Sequence, residues 1–187
     1  MSATPTIRVG HSPDPDDAFM FYALTFNKFD TAGEVYEHHL IDIETLNRDA
    51  DNGKYEVTAL SFHGYCYVQD KYILLPHGAS FGDNYGPMII AKEAAKGDPR
   101  AWLEGKTIAI PGTRTSAFLA LNLWASGHFE KTGKKPNFKT EIVDFDKIIP
   151  AVAAGKYDGG LIIHEGQLTY QDEQSGRALV SVSLMRQ

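Results

Sequence analysis

The chain has 187 residues, 43% of them hydrophobic and 22% charged, enough for one ordinary domain or two small ones with a proper core. Its net charge is −6 and its pI about 5.6, with no basic patch, so nucleic acid is not an expected partner. A lone cysteine excludes an intrachain disulfide framework, and no apolar run approaches the roughly 18 residues that span a bilayer, so no membrane partner is expected. The opening stretch MSATPTIRVGHSPDPDD has neither a basic n-region nor an apolar h-region, which points to the cytoplasm.

Taken in order, TIRVGHS reads as a strand, PDPDD as a turn with capping residues, and AFMFYALTFN as a largely apolar helix. EVYEHHLID is a second strand, in which His38 and His39 point to opposite faces. ETLNRDADNG is a short helix closed by Gly53. YEVTALS is a third strand, and FHGYCYVQDK a helix in which Cys66 is expected to be a buried structural thiol. KYILLPHGAS reads as a strand, FGDNYG as a glycine-rich loop, and GPMIIAKE as a further strand. A connector with a short helix, AAKGDPRAWLEGK, follows. The pattern then restarts with strand KTIAI, loop PGTRT and helix SAFLALNLWASG. The run Lys131, Lys134, Lys135 and Lys139, broken by Gly133 and Pro136, reads as a solvated turn. KTEIVDF is a strand, DKIIPAVAAGK a helix ended by Gly155, DGGLIIHE a buried strand and RALVSVSL a last one.

Strands alternating with helices imply α/β architecture with parallel sheets covered on both faces. The restart near Lys106 divides the chain into a first lobe over 1–96 and a second over 97–187. In open α/β sheets ligands bind beyond the carboxyl ends of the strands. Four loops qualify, SPDPDD and ALSFHG in the first lobe and IPGTRTSA and IIHEGQ in the second, which describes a ligand held between lobes.

IPGTRTSA places Thr113, Thr115 and Ser116 where a helix begins, with Arg114 beside them. Free N–H groups and the helix dipole at such a point favour an anion such as a carboxylate, although capping alone explains one or two of the hydroxyls. In SPDPDD, Asp16 or Asp17 is expected to cap the following helix. The three carboxylates Asp14, Asp16 and Asp17 lack a matching His or Cys set, so no metal is expected there. Ser61 and His63 lack the G-x-S-x-G elbow of a nucleophilic serine, and so does Ser116. His164 lies just past the apolar run LII. A histidine there is either a satisfied structural residue or, at a cleft edge, a proton acceptor working near its ordinary pKa of about 6.5.

The segments SPDPDDAFMFYAL, DIETLN, TALS, GPMIIAKE, IAIPGTRTSAFLAL and DKIIPAVAAGKYDGGLIIHEGQLTY occur in one order with consistent gaps. Together they resemble the 1,4-dihydroxy-6-naphthoate synthases of the futalosine route to menaquinone, over nearly the whole chain. The resemblance implies a two-lobed fold like that of the type II periplasmic binding proteins and a carbon–carbon lyase without metal or redox cofactor. It implies a small-molecule carboxylate substrate, cyclic dehypoxanthinylfutalosine. The family's catalytic base falls on His164, and its substrate-contacting segments on Ala59, Leu60 and Ser61 and on Ser116 and Ala117. Asn47 and Thr115 are implied as further pocket residues.

Family members often have Cys and Asn where this chain has Asp14 and Asp16, so contacts of that loop are expected to differ. They also continue well past RALVSVSL. The first lobe is therefore expected to lack its C-terminal portion, to expose apolar surface, and to leave the 187-residue chain poorly folded or inactive alone. The alternatives are a cytoplasmic carboxylate-binding protein or sensor of the same fold, and chorismate dehydratase. The HEGQLTY segment favours the synthase. A LysR-type effector domain fits less well, since no helix-turn-helix precedes the domain.

Overall fold

The computed structural model describes residues 5–83, 85–127, 135–163, 166–171 and 179–183. The chain forms two compact units, Met1–Phe81 and Gly82–Gln187.

The first unit holds β1 (Thr6–His11), α1 (Pro15–Thr25), β2 (Val35–Leu40), α2 (Ile43–Asp49), β3 (Val57–Thr58) and the single turn α3 (Phe62–Tyr65). The strands form a parallel sheet in the order β2-β1-β3, with Thr6 opposite Val35 and His11 opposite Leu40. Asp42 starts α2 by accepting a hydrogen bond from Thr45 N at 3.0 Å. Gly53, at φ 61°, closes the 3-10 turn that follows, a left-handed position glycine takes at no steric cost. Val9, Leu46, Ala50, Tyr55 and Val68 form the core of this unit. Phe19 and Tyr22 on α1, and Phe26 just after it, are exposed.

Four expectations need correction here. The third strand shrinks to Val57–Thr58, and the helix after it to one turn. Residues 72–80 form no strand, because the described sheet ends at β3 and Pro76 and Gly78 interrupt the segment; Ile73, Leu74 and Leu75 are exposed. Cys66, at the end of the one-turn helix, is exposed rather than buried.

The second unit holds β4 (Met88–Ala91), β5 (Thr107–Ile110), α4 (Ser116–Ala125), β6 (Lys139–Ile142), α5 (Phe145–Ala153), β7 (Gly159–Ile162), α6 (Gly166–Thr169) and β8 (Val180–Ser183). Its sheet runs β6-β5-β7-β4-β8. β5 pairs in parallel with β6 and β7, as expected. β4 departs from the all-parallel expectation and runs antiparallel to β7 and β8. The expected boundary at 96 therefore moves forward to 81–82, because β4 hydrogen-bonds into the second sheet.

Period-2 alternation sorts this core into two layers. Ile108, Ile110 and Leu161 pack with Leu121 and Trp124 of α4, whereas Ala109 and Ile162 pack with Ile148 and Val152 of α5. β7 is buried along its whole length, which is why DGGLIIHE reads as one apolar run. Its glycines make room for the neighbours. A Cβ at Gly160 would lie 2.5 Å from Ile148 Cγ2 and 2.9 Å from Val152 Cγ2. Backbone entropy alone favours Gly160→Ala by about 0.5–1 kcal/mol. The clash is expected to reverse that sign, with a net loss of about 1–3 kcal/mol in urea unfolding. An unchanged or raised midpoint would contradict this packing.

Candidate functional site

In the first unit, the loop after β1 is organised by its acidic residues. Asp14 occupies the N-cap position of α1 without a side-chain cap bond, followed by Pro15 at the first helical position. Neither Asp16 nor Asp17 caps the helix, contrary to expectation. Asp17, buried, turns back to accept from Ser12 N at 2.6 Å, while Ser12 Oγ accepts from Asp14 N at 3.1 Å. Burial raises the Asp17 carboxyl above the usual carboxylate range, against the Ser12 N–H bond, which lowers it. Among the described residues no group of three or more His, Cys, Asp or Glu is placed to hold a metal ion.

His11, the last residue of β1, is buried and stacked on Phe21 at 4.3 Å between ring centroids. Its Nδ1 lies 3.1 Å from the Ser12 carbonyl and its Nε2 3.0 Å from His38 Nδ1. One assignment satisfies both contacts: His11 Nδ1–H donates to the carbonyl and His38 Nδ1–H donates to His11 Nε2. His38 Nε2 is then sealed without a hydrogen-bond partner among the described residues. Desolvation first, then the neighbouring His11 and His39, lower the His38 pKa from its ordinary 6.5. His39 takes the opposite face, as alternation requires, and lies 3.2 Å from Glu37 and beside the Tyr55 ring.

This pair has a pH consequence with a defined sign. Folding makes protonation of His38 harder than in the unfolded chain, where it takes place at about 6.5. Its contribution to stability is therefore complete above pH 6.5 and is lost as pH falls from there toward the lowered folded value. Thermal unfolding at pH 7.5 and 5.5 is expected to show a larger drop for the parent than for His38→Gln. Equal drops would remove His38 from the account.

Asn47 and Ser61, from the helix after β2 and the segment after β3, are in contact. Asn47 on α2 is fully buried, its Nδ2 donating to Ser61 Oγ at 3.1 Å and its Oδ1 accepting from Ser61 N at 3.0 Å. Ala59 N donates to the Gly10 carbonyl at 2.8 Å, continuing the β1–β3 ladder one step past β3. Ala59, Leu60 and Ser61 are half-buried at the carboxyl end of that strand. Sequence reasoning missed Gly64. A Cβ there would collide with Asn47 Oδ1 and sit 2.8 Å from its Cγ, so only glycine lets the amide reach Ser61.

In the second unit, Thr115 is the buried N-cap of α4, its Oγ1 accepting from Phe118 N at 3.2 Å and donating to the Gly112 carbonyl at 2.9 Å. Ser116 follows, half-buried. Ala117, on α4, is buried in the core with Ile108, Ile110 and Leu161, so a ligand can reach this residue only through its backbone. β5 and β7 are parallel neighbours, with Ile108 opposite Gly159, so the chain leaves both at the same sheet edge. The described chain leaves β7 as far as Ile163, whose carbonyl accepts from Tyr85 Oη at 3.0 Å. It resumes at α6, where Gln167 Nε2 donates to the Gly86 carbonyl at 2.9 Å and reaches that of Ile162 at 3.4 Å. His164 and Glu165 lie outside the described residues. α6, Tyr85 and Gln167 were not anticipated; a tyrosine in a glycine-rich loop carries no pattern that announces its partner. Among the described residues no helix is long and apolar enough to cross a membrane.

A family model described as menaquinone biosynthesis matches residues 7–180. The chain is 38% identical over 164 residues to a 1,4-dihydroxy-6-naphthoate synthase of Thermus thermophilus, covering 88% of this chain and 54% of that protein. It is 36% identical to the enzyme of the same name from Streptomyces coelicolor, covering 89% of this chain and 56% of the relative. The chain thus spans about half the length of these curated relatives. A crystal structure of an Archaeoglobus fulgidus protein superposes with a TM-score of 0.81 at 47% identity, covering 96% of this chain and 60% of that one. The alkanesulfonate-binding protein SsuA of Xanthomonas axonopodis superposes at 0.66 with 13% identity, over 97% of this chain and 62% of its own, a likeness of fold alone. The fold is thus of the periplasmic-binding-protein kind.

Proposed function

Since the chain belongs to the menaquinone biosynthesis family, we propose that it serves as a 1,4-dihydroxy-6-naphthoate synthase, a carbon–carbon lyase acting on cyclic dehypoxanthinylfutalosine in the futalosine pathway of the cytoplasm. The observation that carries this reading is the family match, which spans residues 7–180 and so includes every candidate site residue. Two relatives named for this synthase agree with it.

The chemistry needs a group that removes a proton from the sugar-derived part of the substrate. The electron pair left behind drives cleavage of a C–C bond, and the ring aromatises as the small fragment departs. His164 is the proposed proton acceptor. It follows the end of β7 in sequence, and β7 is a fully buried strand suited to holding a base in place. The substrate carboxylate is proposed to sit at the N-terminus of α4, where Thr115 fixes the first turn and the helix dipole favours negative charge. In the first unit, Asn47 holds Ser61 and its neighbours Ala59 and Leu60 in a set conformation, which suits hydrogen bonding to the substrate's polar groups.

Calorimetric titration with cyclic dehypoxanthinylfutalosine and with chorismate, followed by product analysis of each mixture, separates the possibilities. Binding and conversion of the first compound alone is expected. Binding without conversion would favour a sensor or binding protein, and conversion of chorismate would favour the dehydratase; either would overturn the reading.

A further inference from the structure

We propose that Tyr85 and Gln167 are positioning residues that hold the carboxyl end of β7 for catalysis, an inference that rests on the proposed role of His164. The β4–β7 ladder ends at the pair Met88–Ile162. Beyond it, side chains take over from the backbone ladder. Tyr85, three residues before β4, donates its hydroxyl to the Ile163 carbonyl at 3.0 Å. Gln167, on α6, donates its amide to the Gly86 carbonyl at 2.9 Å and reaches the Ile162 carbonyl at 3.4 Å. The carbonyls of Ile162 and Ile163, the last two residues before His164 in sequence, are thus both met by side-chain donors.

The tyrosine is built for this task rather than for core packing. It is 53% exposed, so burial does not account for its place. Its ring lies close against Gly82, where a Cβ would lie 2.5 Å from Tyr85 Cδ1 and 2.8 Å from Cε1. The glycine-rich loop FGDNYG thereby acquires a reason: Gly82 lets the ring lie down, and buried Gly86 presents its carbonyl to Gln167. A general base works only within a narrow range of positions, and a displacement of about 1 Å can cost 10²-fold in rate.

The test compares Tyr85→Phe and Gln167→Leu in the parent protein and in a His164→Ala background. Each single variant is expected to lower kcat about tenfold with KM within about twofold, because binding is left intact while placement of the base is not. In the His164→Ala background the same changes are expected to alter residual turnover less than about twofold, since residues acting through one group are not additive. Equal losses in both backgrounds, a loss carried wholly by KM, or unchanged kcat in Tyr85→Phe would overturn the inference while leaving the base assignment standing. Undiminished activity in His164→Ala would overturn the base assignment itself and the inference with it. Thermal midpoints of Tyr85→Phe close to the parent's are expected, since the ring stays and only an exposed hydroxyl is removed.

Discussion

Replacing His164 by alanine is expected to lower kcat by about 10²–10⁴-fold while KM changes by no more than a few-fold. The size follows from the role. A positioned base takes the proton in the transition state only, so its loss falls on the chemical step and not on ground-state binding. Steady-state kinetics of parent and variant check both values. A variant that retains more than about a third of the parent kcat would remove His164 from the mechanism.

The second large effect is expected at Asn47. This amide is fully buried and serves Ser61 twice, donating to its Oγ and accepting from its backbone N–H. Asn47→Ala strands both groups of Ser61 in a half-buried setting and opens a space in α2's packing. An unsatisfied buried group costs about 1–3 kcal/mol, and the cavity adds to it, so a loss of about 2–4 kcal/mol in urea unfolding is expected. Ser61→Ala loses only the hydroxyl contact and should cost about 1 kcal/mol. The order matters more than either value. If the two variants prove equally destabilised, the backbone bond from Ser61 N is not what holds the loop. A rise in KM for both variants would link the same loop to substrate.

The pattern of strands and helices was legible because each element carries its own periodicity. The buried strand β7 and the helix α4 that follows Thr115 are local features of LIIHE and TSAFLAL. The glycine at 53 that closes α2 with its 3-10 extension is another. Strand direction was not legible. A strand covered on both faces reads as the same apolar run whether it pairs parallel or antiparallel, so MIIA gave no sign that β4 runs against β7. Nor was the fate of ILLP, whose apolar residues suit a strand but have no described neighbour to pair with.

The candidate residues divide in the same way. That a helix begins in TRTSA is legible from sequence, but which of Thr113, Thr115 and Ser116 caps it is settled only by the Thr115 Oγ1 contact with Phe118 N. Asn47 and Ser61 lie 14 positions apart, and the resemblance, not their spacing, put them in one group. The reason Gly64 must be glycine appears only once the Asn47 amide is seen beneath it. Tyr85 and Ile163 are separated by 78 positions, a distance over which local pattern carries no information.

The most direct measurement is a single-turnover incubation of the protein that carries this chain with an equimolar amount of cyclic dehypoxanthinylfutalosine, with the naphthoate quantified by mass spectrometry. The account predicts one equivalent of 1,4-dihydroxy-6-naphthoate from the parent and a strongly slowed yield from His164→Ala. Recovery of the substrate intact from the parent protein would contradict it.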